Sequence, residues 1–325
     1  MRRIKVLFLK LKGVGVRFDE EVEAAIGDRH DLVIYDPSKP MAPQFEAVEV
    51  VIDSGGSVGT HAMMDVAKDA RLWQVHGTGL DHVDIEYMKS KGFMVSNCPG
   101  QFSSVALAEC AMLFILMLTR RVYEAAGNFR QRVLYQPLGQ DLGGLVLGIV
   151  GFGASGQELA RRARAFGMRI RAVDVRSIEP EILEELKPEF MGTPADLDRL
   201  AAESDYLSLH LHLNKDTHHI IDARRLSLMK PTACIINVAR GALVDEEAMY
   251  GALLQGRLGG AGLDVFAHEP PNPTLPVYQL PNVMVTPHIA GVTDGTARKR
   301  AAASAENVDR IAQGLPPLYR CDGGH

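Results

Sequence analysis

Leu145-Val146-Leu147-Gly148-Ile149-Val150-Gly151-Phe152-Gly153-Ala154-Ser155-Gly156 is an apolar run that closes in a GxGxxG and leads into the helical Gln157-Glu158-Leu159-Ala160-Arg161-Arg162-Ala163. A short, continuously apolar run bounded by glycines reads as a buried parallel strand, so the segment is a strand, a Gly-rich turn and a helix in that order. In such a unit Gly151 permits the tight turn, Gly153 lets the backbone approach a pyrophosphate, and Gly156 lets helix and strand pack closely. The helix N-terminus, with Ala154 and Ser155 in its first turn, supplies amide donors and the positive end of the dipole. The ligand expected there is a dinucleotide.

Downstream, Arg169-Ile170-Arg171-Ala172-Val173 reads as the next strand and ends at Asp174. A carboxylate there accepts hydrogen bonds from ribose hydroxyls and repels a 2′-phosphate, so NAD is expected over NADP. Arg176, two residues on, is the side chain that would admit the phosphate.

Further out, the same series continues through Tyr206 to Leu211, Ala233 to Val238, Gly260 to Val265 and Val283 to Val285. An earlier series runs through Ile4 to Leu9, Asp31 to Tyr35, Val48 to Ile52, Leu72 to Val75 and Phe93 to Val95, with helical stretches at Asp19 to Ile26, Thr60 to Asp69 and Asp84 to Lys91. Strands alternating with helices predict parallel sheets with right-handed crossovers, and two series predict two open α/β sheets. Ser104 to Arg120 reads as a buried apolar helix between the series. An Ala-rich final helix from about Thr293 to Ala312 either closes the second sheet or returns to the first, and the pattern alone leaves both open.

Composition agrees with an ordinary globular protein. At 325 residues, two domains and a substantial core are expected. With 46% hydrophobic and 23% charged residues, disorder is excluded as the main theme. Thirty-five basic against 40 acidic side chains, net −5, imply neither a nucleic-acid nor a membrane-surface partner. The apolar stretch Val105 to Leu118 is too short to span a bilayer and contains Glu109. Four scattered cysteines, Cys98, Cys110, Cys234 and Cys321, read as free thiols in a reducing compartment, so a cytoplasmic location is expected. His210 and His212 share one face of a strand but have no third ligand in view, so no metal site is expected.

Three polar groups follow later strands of the second series: Arg240, Glu269 and His288. Alone, each has an ordinary explanation as a surface or loop residue. Together they match a chemistry, since reducing a 2-keto acid needs a cation for the carboxylate and carbonyl, a proton donor, and a group that keeps the donor protonated. A carboxylate beside an imidazole favours the imidazolium and fixes the ring.

At this point the chain resembles the D-isomer-specific 2-hydroxyacid dehydrogenase family, phosphoglycerate dehydrogenases and glyoxylate/hydroxypyruvate reductases among them. The likeness rests on His76-Gly77-Thr78-Gly79-Leu80-Asp81-His82-Val83-Asp84, Gly151 to Gly156, Asn237-Val238-Ala239-Arg240-Gly241-Ala242-Leu243-Val244-Asp245, Gly262-Leu263-Asp264-Val265-Phe266 with Glu269-Pro270, and Pro287-His288-Ile289-Ala290-Gly291. It implies two Rossmann-like domains with doubly wound parallel sheets. One is a discontinuous, flavodoxin-like substrate-binding domain of residues 1–100 and 291–325, and the other an inserted NAD-binding domain of residues 101–290. It implies that Arg240 binds the substrate carboxylate and carbonyl, that His288 exchanges the proton, and that Glu269 pairs with His288.

The cofactor set it implies is Gly151, Gly153, Ala154, Ser155, Gly156, Asp174, Arg176, His210, Thr217, Val238, Ala239, Arg240, Asp264, His288 and Ala290. For the substrate it adds backbone amides near Gly55, Gly56 and Gly77, which suit anion binding. A homodimer is implied, with the helix near Ser104 contributing. His210-Leu211-His212 stands where the family commonly has His-x-Pro under the adenine, a departure in that pocket.

The leading expectation is an NAD-dependent oxidoreductase that moves hydride between nicotinamide and C2 of a small D-2-hydroxy or 2-keto acid. Two other readings stay in view: a dinucleotide-sensing binding protein like the family's transcriptional corepressors, and a phosphite-type dehydrogenase. Formate dehydrogenase chemistry is disfavoured, because that relative lacks the catalytic Glu and this chain carries Glu269.

Overall fold

The apolar runs become parallel strands in a computed structural model, which describes residues 2–11 and 16–323. They fall into two compact units, Met1–Phe102 with Val292–His325, and Ser103–Gly291.

The first unit holds β1 (Lys5–Leu9), β2 (Asp31–Ile34), β3 (Val48–Ser54), β4 (Leu72–His76) and β5 (Met94–Ser96), all parallel, in the order β2-β1-β3-β4-β5. That is the flavodoxin-like order. Its central strands are covered on both faces, which is why they read as near-continuous apolar runs rather than alternating ones. The last helix, Asp294–Ala312, belongs to this unit. Thr293 caps it by accepting from the Thr296 amide, and Ala301, Ala305, Val308 and Ile311 share a core with Val22 and Ile26 and with Val50, Ile52 and Leu72 of the sheet. Alanines on that face let the helix approach closely. Buried Asn307 fixes the register, donating to Gln74 Oε1 at 2.7 Å and accepting the Leu318 amide at 2.7 Å.

The second unit holds β6 (Val146–Val150), β7 (Arg169–Val173), β8 (Phe190–Gly192), β9 (Tyr206–Leu209), β10 (Cys234–Asn237), β11 (Gly260–Leu263) and β12 (Val283–Val285), parallel, in the order β12-β11-β10-β9-β6-β7-β8. This is the doubly wound dinucleotide-binding order, and it reverses between β6 and β9. The helix Ser104–Thr119 packs on the helix Ala154–Ala165 and across β10, β11 and β12, burying Ala108, Ala111, Phe114 and Ile115. Its closeness explains the glycines of β11: a Cβ at Gly262 would stand 2.5 Å from the Phe114 side chain. Among the described residues no helix is long and apolar enough to cross a membrane.

Two expectations are corrected. The strand expected to reach Leu211 ends at Leu209, because His210 turns away to side-chain partners, so His210 and His212 do not share a strand face. The strand β8 was not anticipated; three half-buried residues at a sheet edge leave no periodic trace.

Candidate active site

The GxGxxG closes β6 as its spacing requires. Gly151 has φ +93°, and a Cβ there would lie 2.4 Å from the His210 carbonyl oxygen; one at Gly156 would lie 2.3 Å from the Gly151 carbonyl oxygen. Both are therefore backbone-to-backbone approaches that only glycine allows. Gly153 differs, meeting only the end of the Arg176 side chain at 3.4 Å. Beside it lies a cavity of about 440 Å³ lined by Gly153, Ala154, Gln157, Arg176, Glu179 and Ile182, among others. A Gly-lined cradle, a helix N-terminus and an adjoining cavity fit a dinucleotide.

Asp174 follows β7, a half-buried residue whose side chain is only 7% exposed. Its Oδ2 accepts the Phe152 amide of the loop at 2.7 Å, and its Oδ1 accepts the Arg176 amide at 2.9 Å and Arg176 Nε at 3.3 Å. The carboxylate thus pins the Gly-rich loop to the next strand while Arg176 folds back on it. His210, at the point where strand order reverses, bridges Ser155 Oγ (Nδ1, 3.0 Å) and Ser208 Oγ (Nε2, 2.9 Å). Burial pushes its pKa down to about 4, so the ring is neutral and serves as a strut for the loop. Thr217 spends its hydroxyl locally, donating to the His212 carbonyl at 2.7 Å.

The three catalytic candidates come together at the carboxyl end of this sheet. His288 Nδ1 and Glu269 Oε2 are 2.7 Å apart, and Glu269 Oε1 accepts the Phe266 amide at 3.1 Å. Burial would raise the Glu269 carboxyl, but the hydrogen bond and charge of His288, the Phe266 amide and the charge of Arg240 outweigh it and hold the group below its ordinary value. Arg240 follows β10, where Asn237 shapes the turn by donating to the Arg240 carbonyl at 2.8 Å and accepting the Ala239 amide at 3.1 Å. His288 sits at φ +55°, a left-handed conformation uncommon for a non-glycine residue. Its surroundings impose it. The fully buried Asp264 accepts the Thr286 hydroxyl at 2.5 Å and the Ile289 and Ala290 amides at 2.8 Å each, while its own carbonyl accepts the His288 amide at 2.8 Å.

The three glycines expected to bind substrate lie in the first unit. Gly55 and Gly77 meet backbone to backbone, a Cβ on Gly77 standing 3.0 Å from Gly55 Cα. The Gly55 and Gly56 amides are engaged internally, donating to the His76 and Asp53 carbonyls at 3.3 and 3.1 Å. Both were expected to present amides to an anion, and their geometry gives them a different part, shaping the turn against which Gly77 rests.

Residues 112–290 match the family model described as D-isomer specific 2-hydroxyacid dehydrogenase, NAD binding domain. The chain is 40% identical over 265 residues to a glyoxylate reductase of Thermococcus onnurineus, spanning 78% of this chain and 77% of the relative. The chain belongs to the D-isomer-specific 2-hydroxyacid dehydrogenase family. A hydroxypyruvate reductase of Thermotoga maritima is 36% identical over 275 residues, 82% of this chain and 85% of that one. Among solved structures, the D-lactate dehydrogenase of Aquifex aeolicus in complex with NAD and lactic acid is 30% identical, with a TM-score of 0.81 over 98% of this chain and 100% of that one. As a member of this family the chain is an NAD-dependent oxidoreductase of 2-hydroxy and 2-keto acids.

Reasoning from sequence missed what holds these groups: the hydroxyl pairing of Ser155 with His210, the three donors on Asp264, and a second carboxylate, Glu246, that accepts the Ala267 amide. Only a carboxylate at the first position of a helix signalled the last of these.

Proposed function

We propose that the chain reduces a small 2-keto acid of the glyoxylate or hydroxypyruvate class to the D-2-hydroxy acid, with NADH as the preferred donor. The observation that carries this reading is the 2.7 Å pairing of His288 Nδ1 with Glu269 Oε2. When bound, the cofactor supplies the hydride. Arg240 receives the substrate carboxylate and polarises its carbonyl. Glu269, held ionised, takes Nδ1 and leaves Nε2 of His288 to deliver the proton to the carbonyl oxygen. The reverse reaction returns that proton to Nε2.

Gly151, Gly153, Ala154, Ser155 and Gly156 hold the pyrophosphate, Asp174 the ribose, and Val238, Ala239, Asp264 and Ala290 form the nicotinamide side of the cradle. His210 and Thr217 support the adenine side from behind, and Arg176 is the residue that admits NADP when it leaves Asp174. In the first unit the Gly77 amide is assigned to the substrate carboxylate, with Gly55 and Gly56 beneath it.

We assign the enzyme to the cytoplasm, in keeping with its four free cysteines. We also assign it a homodimer, because Phe129, Leu134, Tyr135 and Leu138 stand 67–99% exposed within ten residues of chain, an apolar patch that a second copy would cover.

The test is oxidation of NADH, with NADPH in parallel, against glyoxylate, hydroxypyruvate, pyruvate, 2-ketoglutarate and phenylpyruvate, for the parent and for His288→Ala. Turnover of a small keto acid is expected, reduced by on the order of 10²- to 10⁴-fold in the variant with NADH binding intact. Near-normal turnover by His288→Ala would reject the proton-transfer assignment. Tight NADH binding with no turnover of any acid would favour the dinucleotide-sensing reading.

A further inference from the structure

The turn that carries Glu269 is held from behind by another carboxylate. Glu246 opens the helix Glu246–Leu254, which Asp245 caps by accepting the Ala248 amide at 3.0 Å. Glu246 Oε1 accepts the Ala267 amide at 2.8 Å, next along the chain from the Phe266 amide that Glu269 accepts. Two carboxylates therefore grip adjacent amides of one turn. The Tyr250 hydroxyl bonds the Tyr278 hydroxyl at 2.6 Å, and the Tyr278 ring meets Phe266 edge-on at 5.7 Å. Gly241 closes the remaining side, since a Cβ there would fall 1.9 Å from the Phe266 carbonyl carbon and 2.2 Å from the Ala267 nitrogen.

We propose that Glu246 is a positioning residue for proton transfer: by accepting the Ala267 amide it sets the turn Phe266 to Glu269 so that Glu269 Oε2 stays within hydrogen-bond reach of His288 Nδ1. The proposal rests on the reading of His288 and Glu269 as the proton-transfer pair. Glu246 touches neither substrate nor cofactor; it acts through Glu269. The charged and titratable groups that face it are His268, Glu269, Tyr250 and Tyr278, and those that face Glu269 are His288, Arg240 and Glu246. Burial raises the Glu246 carboxyl and the Glu269 charge adds to this, while the Ala267 amide, Tyr250 and His268 oppose it. Adjacent amide donors are what allow two carboxylates to share so short a turn.

Three variants separate acceptor geometry from charge. Glu246→Gln keeps an oxygen at the reach of Oε1 and loses the charge. Glu246→Asp keeps the charge but is one methylene short of the Ala267 amide, and Glu246→Ala loses both. The readouts are the pH profiles of kcat and kcat/KM for the best keto acid, NADH affinity from nucleotide fluorescence, and a thermal melt. Expected is a fall in kcat on the order of 10- to 100-fold for the Asp and Ala variants, the cost of a misplaced catalytic group, with NADH affinity unchanged. Their basic limb moves to lower pH as His288 loses its carboxylate, and the Gln variant restores both rate and limb.

A profile for Glu246→Asp that superimposes on the parent's overturns the proposal, as does a Gln variant as impaired as Ala; the Asp variant decides even if Ala does not fold. Glu269→Gln is run beside them. If it moves the limb and Glu246→Asp does not, the assignment of Glu246 alone falls. If Glu269→Gln leaves the limb in place, the proton-transfer pair falls and takes this proposal with it.

Discussion

Asp53 in the first unit and Asp264 in the second are both completely buried at the exit of a parallel strand, and both are engaged by three donors, yet they fasten different things. Asp53 accepts the Val58 and Gly59 amides and Trp73 Nε1, each at 3.1 Å, so it ties down the loop that follows its own strand. Asp264 reaches across to residues 286–290 and ties down the loop after the neighbouring strand, the one that bears His288. Burial pushes both carboxyls up, and the donors pull them back. One device thus serves a local purpose in one unit and a long-range one in the other, where the anchored loop carries the proposed proton donor. A buried carboxylate with amide donors is a loop anchor, and its functional weight depends on what the anchored loop carries.

The largest effect should come from breaking the second anchor. Asp264→Asn replaces an acceptor by a donor facing the Ile289 or Ala290 amide, so the turn that forces His288 into its left-handed conformation loosens. A fall in kcat of about 10²-fold is expected from steady-state kinetics, with a smaller loss of NADH affinity in nucleotide fluorescence because Asp264 also belongs to the proposed nicotinamide side of the cradle. An unaltered kcat would show that His288 holds its position without Asp264.

Asp53→Asn makes the matching lesion in the first unit and should be milder, raising KM for the keto acid by about tenfold while kcat changes little, as expected when binding rather than chemistry is lost. Trp73, the one tryptophan of the sequence, gives an optical check, because its fluorescence should change when Nε1 loses a carboxylate partner. A change in kcat as large as that of Asp264→Asn would erase the proposed difference between the anchors.

Gly59→Ala probes the same loop sterically. Its Cβ would lie 2.4 Å from the Trp73 ring and 2.6 Å from Asp53 Oδ2, so a loss of about 1–3 kcal/mol is expected in a denaturant melt. A melt equal to the parent's would mean that the Trp73–Asp53 wall yields freely.

Smallest at neutral pH, and growing only as pH falls, is an effect of titration that touches both units. Burial holds His76 in the first unit down to about 3 and His210 in the second down to about 4, against 6.5 unfolded. Each takes up its proton more readily unfolded than folded, so stability is complete above about pH 6.5 and is lost as pH falls from there toward 4. His76→Asn and His210→Asn should each flatten the fall of Tm over that window. A slope identical to the parent's in both variants would exclude the two rings as its source.

Much of this was legible because it is local. Gly151, Gly153 and Gly156 are read from a six-residue spacing, and Arg240, Glu269 and His288 each stand a few residues beyond an apolar run, so strand ends alone place them on one sheet edge. The Ala-rich face of the last helix signals close packing from the letters, although which sheet it covers does not follow from them. Harder to read were groups whose partner is distant in sequence: Asp264 with Ala290, 26 residues away, His210 with Ser155, 55 away, and Glu246 with Ala267, 21 away. No periodicity records such pairs. The amides of Gly55 and Gly56 illustrate the converse, since glycines in a loop suggest open donors until the carbonyls that accept from them are located.

By itself, then, the amino-acid sequence determined the parallel α/β class and the Gly-rich loop, and it singled out the three side chains proposed to react, because strand burial, tight turns and charge type are properties of short segments. Tertiary structure alone decided that Glu269 meets His288 through Nδ1, that Asp264 forces His288 into its conformation and that Glu246 backs the turn between them. Those outcomes depend on hydrogen bonds between residues that only the winding of the sheet brings within 3 Å.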